Sequence, residues 1–426
     1  MSVGIAPRSR LLAIAGGSAG NLVEWFDWYA YSVLTIYFAP GLLPGKTPTT
    51  ELLNAALIFA VGFLMRPVGA WVMGIYSDRH GRKSGLAVSV ALMAGGSLMI
   101  AACPTYASAG WLAPAVLLAA RMLQGLSVGG EYGASATYLS EMALKERRAF
   151  WASFQYVTLI GGQLLALGVV LVLQSAMSEA SLQAWGWRVA FGIGAVLALA
   201  VYVLRLKLAE TAEFSRQGAD RPKSSVIKLW RDHPRQFLIV AAISAGGSIA
   251  FYAYTTYLQK FLVNTAGFGR PTATMVMTGA LLVFMAIQPL WGMAADRWGR
   301  KPMLYIFGFG GMAVSVPVLT ALSHATSAWA AFGLTLIPLT LLGAYTSISG
   351  LIKAELFPPH IRTLGVALPY AIGNALFGGT AEYAALWFKQ AGIESGFYWY
   401  LTAIIGMAAI GFVLLPETKT ASLIDD

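Results

Sequence analysis

Glu24 and Asp27 stand three residues apart in "GNLVEWFDWYAYS", residues 20 to 32, a stretch otherwise apolar enough to lie in a membrane. At i and i+3 they share one face of a helix. Two acids facing one cavity resist being ionised together, because each raises the proton affinity of the other. The chemistry this suits is reversible proton uptake. Further charges interrupt other apolar runs: Arg66, Arg121, Glu131 and Glu382, with Lys353 near the end of its run. A charge at mid-bilayer costs about 2.5–3.5 kcal/mol, so each must face a wet cavity or a partner. Arginine carries a rigid fork that matches a carboxylate. Arg66 and Arg121 therefore read either as holders of a cargo's carboxylates or as neutralisers of the protein's own acids.

The elements that position these charges are membrane spans. The chain has 426 residues, of which 57% are hydrophobic and 11% charged, with a mean hydropathy of +0.65. Soluble domains do not reach such values. Apolar runs long enough to cross a bilayer recur about twelve times, and the fold class expected is all-α, integral to the membrane. The expected spans are 11–38, 51–76, 85–104, 111–139, 149–174, 187–207, 235–263, 271–294, 303–322, 328–353, 363–388 and 395–415. The first run carries acids and lacks a small-residue cleavage site, so it reads as a retained span. Most of the 29 Lys and Arg fall in alternate loops and the termini, the positive-inside pattern, which predicts both termini in the cytoplasm. It also explains the net charge of +10 without nucleic acid. Arg121 should lie about ten residues into the fourth span, roughly 15 Å at the helical rise, and Asp27 at matching depth from the other side. That allows an Asp27–Arg121 pair, and Arg66 could pair with Glu131 in the same way.

The chain repeats itself. "GIYSDRHGRK" at 74–83 returns as "GMAADRWGRK" at 292–301, and "SEMALKERR" at 140–148 has an echo in "KAELFPPHIR" at 353–362. Between the copies lies one long polar segment, with an amphipathic stretch at "VIKLWRD" suited to a membrane surface. The division expected is a six-helix bundle over 1–207, a cytoplasmic linker over 208–234 and a second six-helix bundle over 235–426. Such duplication marks transporters that rock one half against the other. In the repeated loops, Asp78, Arg82 and Glu141, and again Asp296, Arg300, Glu355 and Arg362, could form charge clusters that gate the cytoplasmic side.

The loop G-x-x-x-D-R-x-G-R-K resembles the signature of the major facilitator superfamily. "NLVEWFDWYAYS", "GFLMRPVGAW", "RMLQGLSVGGEYGASATYLSE" and "NALFGGTAEY" resemble its metabolite:proton symporter family, whose members carry α-ketoglutarate, citrate, shikimate and the osmolytes proline and betaine. The resemblance implies two pseudo-symmetric bundles and a proton-coupled importer of a small dicarboxylate, α-ketoglutarate first. It implies that Asp27, with Glu24 or Glu131, couples the proton, since related sugar symporters pair an aspartate and an arginine at the places of Asp27 and Arg121. Gln163 resembles their ligand-binding glutamine. Osmolyte carriers tend to have Lys where Arg121 stands, which favours a dianion over a zwitterion; β-ketoadipate and citrate remain as other cargoes.

Polar stripes on apolar helices add candidates: Tyr252, Thr255 and Gln259; Tyr345, Ser349 and Lys353; Tyr370, Asn374 and Glu382. Each shares one helix face, lining a cavity or bonding between packed helices; Gln155 stands beside Gln163 with the same two readings. "GLSVGGEYG" holds G-x-x-x-G twice, which lets a neighbouring helix pack close. Arg188 in "WGWR" either guides anions into the outer mouth or anchors a span end. "GFGGMA" at 308–313 sits inside a span with no strand before it, so it is no dinucleotide site. The four histidines lack metal-ligand spacing, Cys103 is alone, and no catalytic set is visible. No enzyme, cofactor or metal is expected, and the protein should act as a monomer in the lipid bilayer on a small anionic metabolite and protons. A metabolite receptor that does not transport is the alternative of another class.

Overall fold

The computed structural model describes residues 7–45, 47–80, 82–129, 131–132, 136, 140, 145–206, 225–358 and 361–424; the side chains of 7–19, 74, 75, 77–80, 82–86 and 205 fall outside that description. Within it the chain is helical throughout. The long helices are α1 (Pro7–Leu42), α2 (Pro48–His80), α3 (Arg82–Ala101), α4 (Leu112–Val128), α5 (Arg148–Ala176) and α6 (Trp187–Leu206). The second half repeats them as α7 (Pro234–Asn264), α8 (Arg270–Trp298), α9 (Arg300–Ser323), α10 (Ala328–Ala354), α11 (362–390) and α12 (Ser395–Leu414). Each matches an expected span to within a few residues; past Val128 the expected fourth span, which runs to 139, falls partly outside the described residues, and Glu131, Tyr132 and Ala136 within it are helical. Eight of the described helices are long and apolar enough to cross a membrane. Helices are one of the two structures that satisfy every backbone N–H and C=O in lipid, each within its own segment.

Consecutive helices run antiparallel, which gives the molecule two faces. The near face carries the end of α8 and the starts of α5, α9 and α11; the far face carries the ends of α1, α5 and α11 and the starts of α2 and α8. Between α8 and α9 the repeated loop shrinks to one residue, Gly299, with φ of 102°. A side chain there would be strained, and a Cβ would overlap the Glu417 carboxylate that caps the start of α9.

Two features were not legible in the span pattern. Helices α7 and α11 each contain a wide π turn, at Ala253–Tyr257 and Asn374–Gly378. Such turns insert one extra residue and cluster at functional sites. The other feature is a glycine seam. A Cβ on Gly125 would meet the Gly62 carbonyl, one on Gly129 the Arg66 carbonyl, and one on Gly69 the Leu126 carbonyl. Helices α2 and α4 therefore touch backbone to backbone, the role expected of the G-x-x-x-G pattern. Arg66 and Arg121 stand on these two joined helices.

The expected amphipathic stretch is a short helix, Val226–Asp232, capped by the Ser225 hydroxyl. It buries Leu229 and exposes Ile227 and Trp230. The rest of the expected linker, 208–224, lies outside the described residues.

Candidate functional site

The middle of α1 is the centre of the site. Trp28 is buried, and both guanidiniums lie over its ring: Arg121 Cζ 3.7 Å and Arg66 Cζ 4.4 Å from the centroid. Phe63 backs Arg66 at 3.8 Å, and Tyr31 backs Arg121 at 4.4 Å. Such contacts stabilise a desolvated cation by about 2 kcal/mol each. Aromatic walls thus hold two like charges close together without neutralising them.

Asp27 and Arg121 do not touch directly. They are the ends of a relay: Arg121 NH1 donates to Gln124 Oε1 at 2.7 Å, Gln124 Nε2 donates to Ser97 Oγ at 3.1 Å, and the Ser97 hydroxyl donates to Asp27 Oδ2. All four side chains are buried. Asp27 Oδ1 and the Nε and NH2 of Arg121 bond to no other protein group. The acid and the base are therefore linked, yet each keeps polar capacity in reserve.

Glu24 and Arg66 line one narrow pocket of about 20 Å³, together with Asn21, Trp25, Tyr132 and Tyr370. Glu131, expected beside Arg66, is half-buried and is not among the residues lining it. On the near side the pocket ends at Tyr132 and Tyr370, stacked with centroids 3.6 Å apart and planes 12° apart. Behind that stack sits Lys353, wholly buried, its Nζ 4.3 Å from the Tyr370 centroid, 3.2 Å from Tyr132 Oη and 2.9 Å from Ser349 Oγ. Tyr345 stands 5.9 Å from the same ammonium. A lysine amine among tyrosines, with no acid within ion-pair distance among the described residues, is a third basic group at the centre.

Tyr252 and Asn374 meet on the second-half side, where both crowd the place a Cβ of Gly378 would take. Tyr252 also packs against Phe63 at 4.9 Å. Both amide atoms of Gln163 are buried and bond to no other protein group, and Tyr252 Oη, close to Asn374 and Arg66, makes no hydrogen bond of good geometry, nor does the Asn374 amide. A buried polar group left in that state costs about 1–3 kcal/mol, which a site for a polar ligand explains. Gln155 is buried on α5 against Gly350 of α10. Thr255 sends its hydroxyl to the Phe251 carbonyl while its own carbonyl accepts from Tyr29 Oη.

Gln259 falls elsewhere. Its Nε2 donates to Thr274 at 3.0 Å, and Gln174 reaches the same hydroxyl at 3.3 Å while holding Tyr37 Oη at 2.7 Å. This is a bridge between the halves toward the far face, away from Arg66 and Arg121. Arg188 donates to the carbonyls of Cys103 at 2.7 Å and Ala184 at 3.0 Å, with Trp187 under it at 4.1 Å. These contacts are those of an anchor.

The expected second-half cluster forms at the near face. Arg300 lies 3.4 Å from Asp296 and 3.5 Å from Glu355. Asp296 crosses to the first half, accepting from the backbone N–H of Ala149 and of Phe150 at 2.9 Å each. Burial pushes the Glu355 carboxyl up to about 7, against the opposing pull of Arg300 and the Thr418 hydroxyl. Arg362 binds the carbonyls of Phe357 and Leu423. The C-terminal segment joins this cluster through Glu417 and Thr418, an addition the sequence reading did not contain. The matching first-half residues, the side chains of Asp78 and Arg82 and the whole of Glu141, lie outside the described residues.

Sequence reasoning also missed Lys260. It is wholly buried on α7, 2.7 Å from Glu382 of α11, and donates to Ser32 of α1 at 2.9 Å. The signal was present in Glu382, an intramembrane acid that had been assigned no basic partner.

Comparison with known proteins bears on the family and the fold. The family described as "Sugar (and other) transporter" matches residues 18–221 and 207–425. The α-ketoglutarate permease of Escherichia coli (strain K12) is 52% identical over 407 residues, covering 96% of this chain and 93% of the permease. A citrate-proton symporter of Salmonella typhi is 31% identical, covering 96% and 94%. The partially occluded inward-open structure of the xylose transporter XylE from E. coli superposes with a TM-score of 0.77 over 95% of this chain and 98% of that one, at 18% identity. That likeness establishes the major facilitator fold and nothing about cargo.

Proposed function

This chain belongs to the sugar (and other) transporter family, and from that premise we propose that it is a proton-coupled symporter that imports a small dicarboxylate, α-ketoglutarate first, by alternating access between two six-helix bundles. The observation that carries the reading is the set of three buried basic groups, Arg66, Arg121 and Lys353, held by aromatic rings around one centre. A dianion answers that charge. The Escherichia coli permease, 52% identical over almost the whole chain, supports the cargo class.

The relay supplies the coupling. An anion imported against an inside-negative potential loses about 2.3 kcal/mol per charge per 100 mV, and co-transported protons offset that loss. With Asp27 ionised, the relay draws Arg121 toward it through Gln124 and Ser97. A proton on Asp27 removes that pull and frees the guanidinium for the cargo's carboxylate. Glu24, in the pocket with Arg66, takes the corresponding place on the near side. Tyr252, Asn374 and Gln163 supply neutral hydrogen bonds. The proposed division runs 1–207, 208–234 and 235–426, with the near face and both termini in the cytoplasm and the protein acting as a monomer in the inner membrane. On this reading Asp78, Arg82 and Glu141 mirror the cluster of Asp296, Arg300 and Glu355 as the near-face gate.

The test is uptake of labelled α-ketoglutarate into liposomes under an imposed acid-outside gradient. The wild type should accumulate the acid only with the gradient. Asp27→Asn should lose accumulation while retaining counterflow exchange. If α-ketoglutarate neither enters nor competes with other organic acids, the cargo is wrong; if Asp27→Asn still accumulates it, the coupling residue is wrong.

A further inference from the structure

Lys260, Glu382 and Ser32 close a ring. Lys260 Nζ donates to Glu382 Oε1 at 2.7 Å and to Ser32 Oγ at 2.9 Å, and the Ser32 hydroxyl donates to Glu382 Oε2 at 3.3 Å. All three are buried, none more than 3% exposed. Two of them belong to the second half and one to the first, so the ring spans the plane along which the halves would part. A satisfied polar network in a low dielectric holds its geometry strongly. Opening one corner leaves the ion pair buried with an empty bonding position.

The ring is placed by the two π turns. Lys260 follows the turn of α7 by three residues, and Glu382 follows that of α11 by four, so each stands about one helical turn beyond the irregularity. On α1, Ser32 is one turn from Trp28, the ring shared by Arg66 and Arg121. Between them, Tyr29 bonds the Thr255 carbonyl inside the α7 π turn, and Tyr31 lies under Arg121. One face of a short stretch of α1 therefore carries the wall of the cation site and, one turn further along, a corner of the ring.

Given the alternating-access reading above, we propose that Lys260, Glu382 and Ser32 are positioning residues that latch α1 to α7 and α11 and keep the path closed toward the far face. The latch releases when Ser32 withdraws with the first half. Because Trp28 rides on the same turn, release moves the aromatic wall of the cation site at the same time.

Spin labels at Ser175→Cys and Ala391→Cys, exposed positions at the far-face ends of α5 and α11, placed in a Cys103→Ser background, read the separation of the halves by pulsed electron resonance without any cargo. Glu382→Gln and Ser32→Ala should each raise the ratio of open to closed distances by about tenfold, the shift that losing about 1.4 kcal/mol of latch produces. The charge swap Lys260→Glu with Glu382→Lys should return it toward the wild type. Ser32→Ala with the wild-type distribution overturns the latch, because the ion pair alone lies within one half. Should Glu382→Gln fail to fold, Ser32→Ala decides. A wrong cargo leaves these distances untouched and shows itself only in uptake.

Discussion

Arg121 and Lys260 are both wholly buried cations, and the molecule treats them in opposite ways. Lys260 has a carboxylate at 2.7 Å and a hydroxyl that closes the ring. Arg121 has aromatic faces, one amide oxygen, and two nitrogens bonded to nothing in the protein. The desolvation of Lys260 is offset within the fold; that of Arg121 is offset only in part. A group satisfied by its own protein holds structure together, whereas one left short is poised for a visitor.

The contrast is tested most strongly by stability and uptake measured on the same variants. Lys260→Met should destabilise the protein by about 3–5 kcal/mol, because it strands Glu382, and Lys260→Met with Glu382→Leu should recover most of that loss. Arg121→Met should leave thermal stability nearly unchanged while lowering uptake by about a hundredfold or more, as expected when a charged hydrogen-bonding anchor is lost. If Arg121→Met unfolds the protein as readily as Lys260→Met, the two cations are not different in kind. Next in size, Trp28→Leu removes the ring beneath both guanidiniums, and cargo affinity measured by counterflow should weaken by about tenfold, in proportion to the roughly 1–2 kcal/mol of cation–π contact. An unchanged affinity would assign Trp28 to packing alone.

The smallest effect concerns Glu355, a buried acid whose partner Arg300 is shared with Asp296. Its carboxyl, raised from 4.5 to about 7, binds a proton more tightly folded than unfolded. The stability this allows is complete below about 4.5 and is lost as pH rises through about 7. Wild-type stability should therefore fall by on the order of 1 kcal/mol between pH 6 and 8, and Glu355→Gln should remove that part of the slope. A slope identical in both proteins would show that the acid does not titrate there.

The spans were legible because hydropathy and length decide them. The repeat exposed the near-face cluster as well, since Asp296 and Arg300 stand four residues apart in a motif with a copy. Asp27 and Arg121 were legible as members of one site, but the Gln124 and Ser97 relay between them was not, because it depends on how α3 meets α4. Lys260 was missed because it lies near the end of its span, where a lysine ordinarily reaches back to water. Only the approach of α1 and α11 seals it. The π turns, made by one extra residue in a hydrogen-bond ladder, leave no periodic mark.

The glycine seam between α2 and α4 has a consequence for selectivity. With no side chains between the two backbones, the helices that carry Arg66 and Arg121 are fixed to each other like the jaws of a set caliper. The spacing of the two guanidiniums is then a built-in gauge of length, preserved while the halves move, and a longer or shorter acid must misfit at one end.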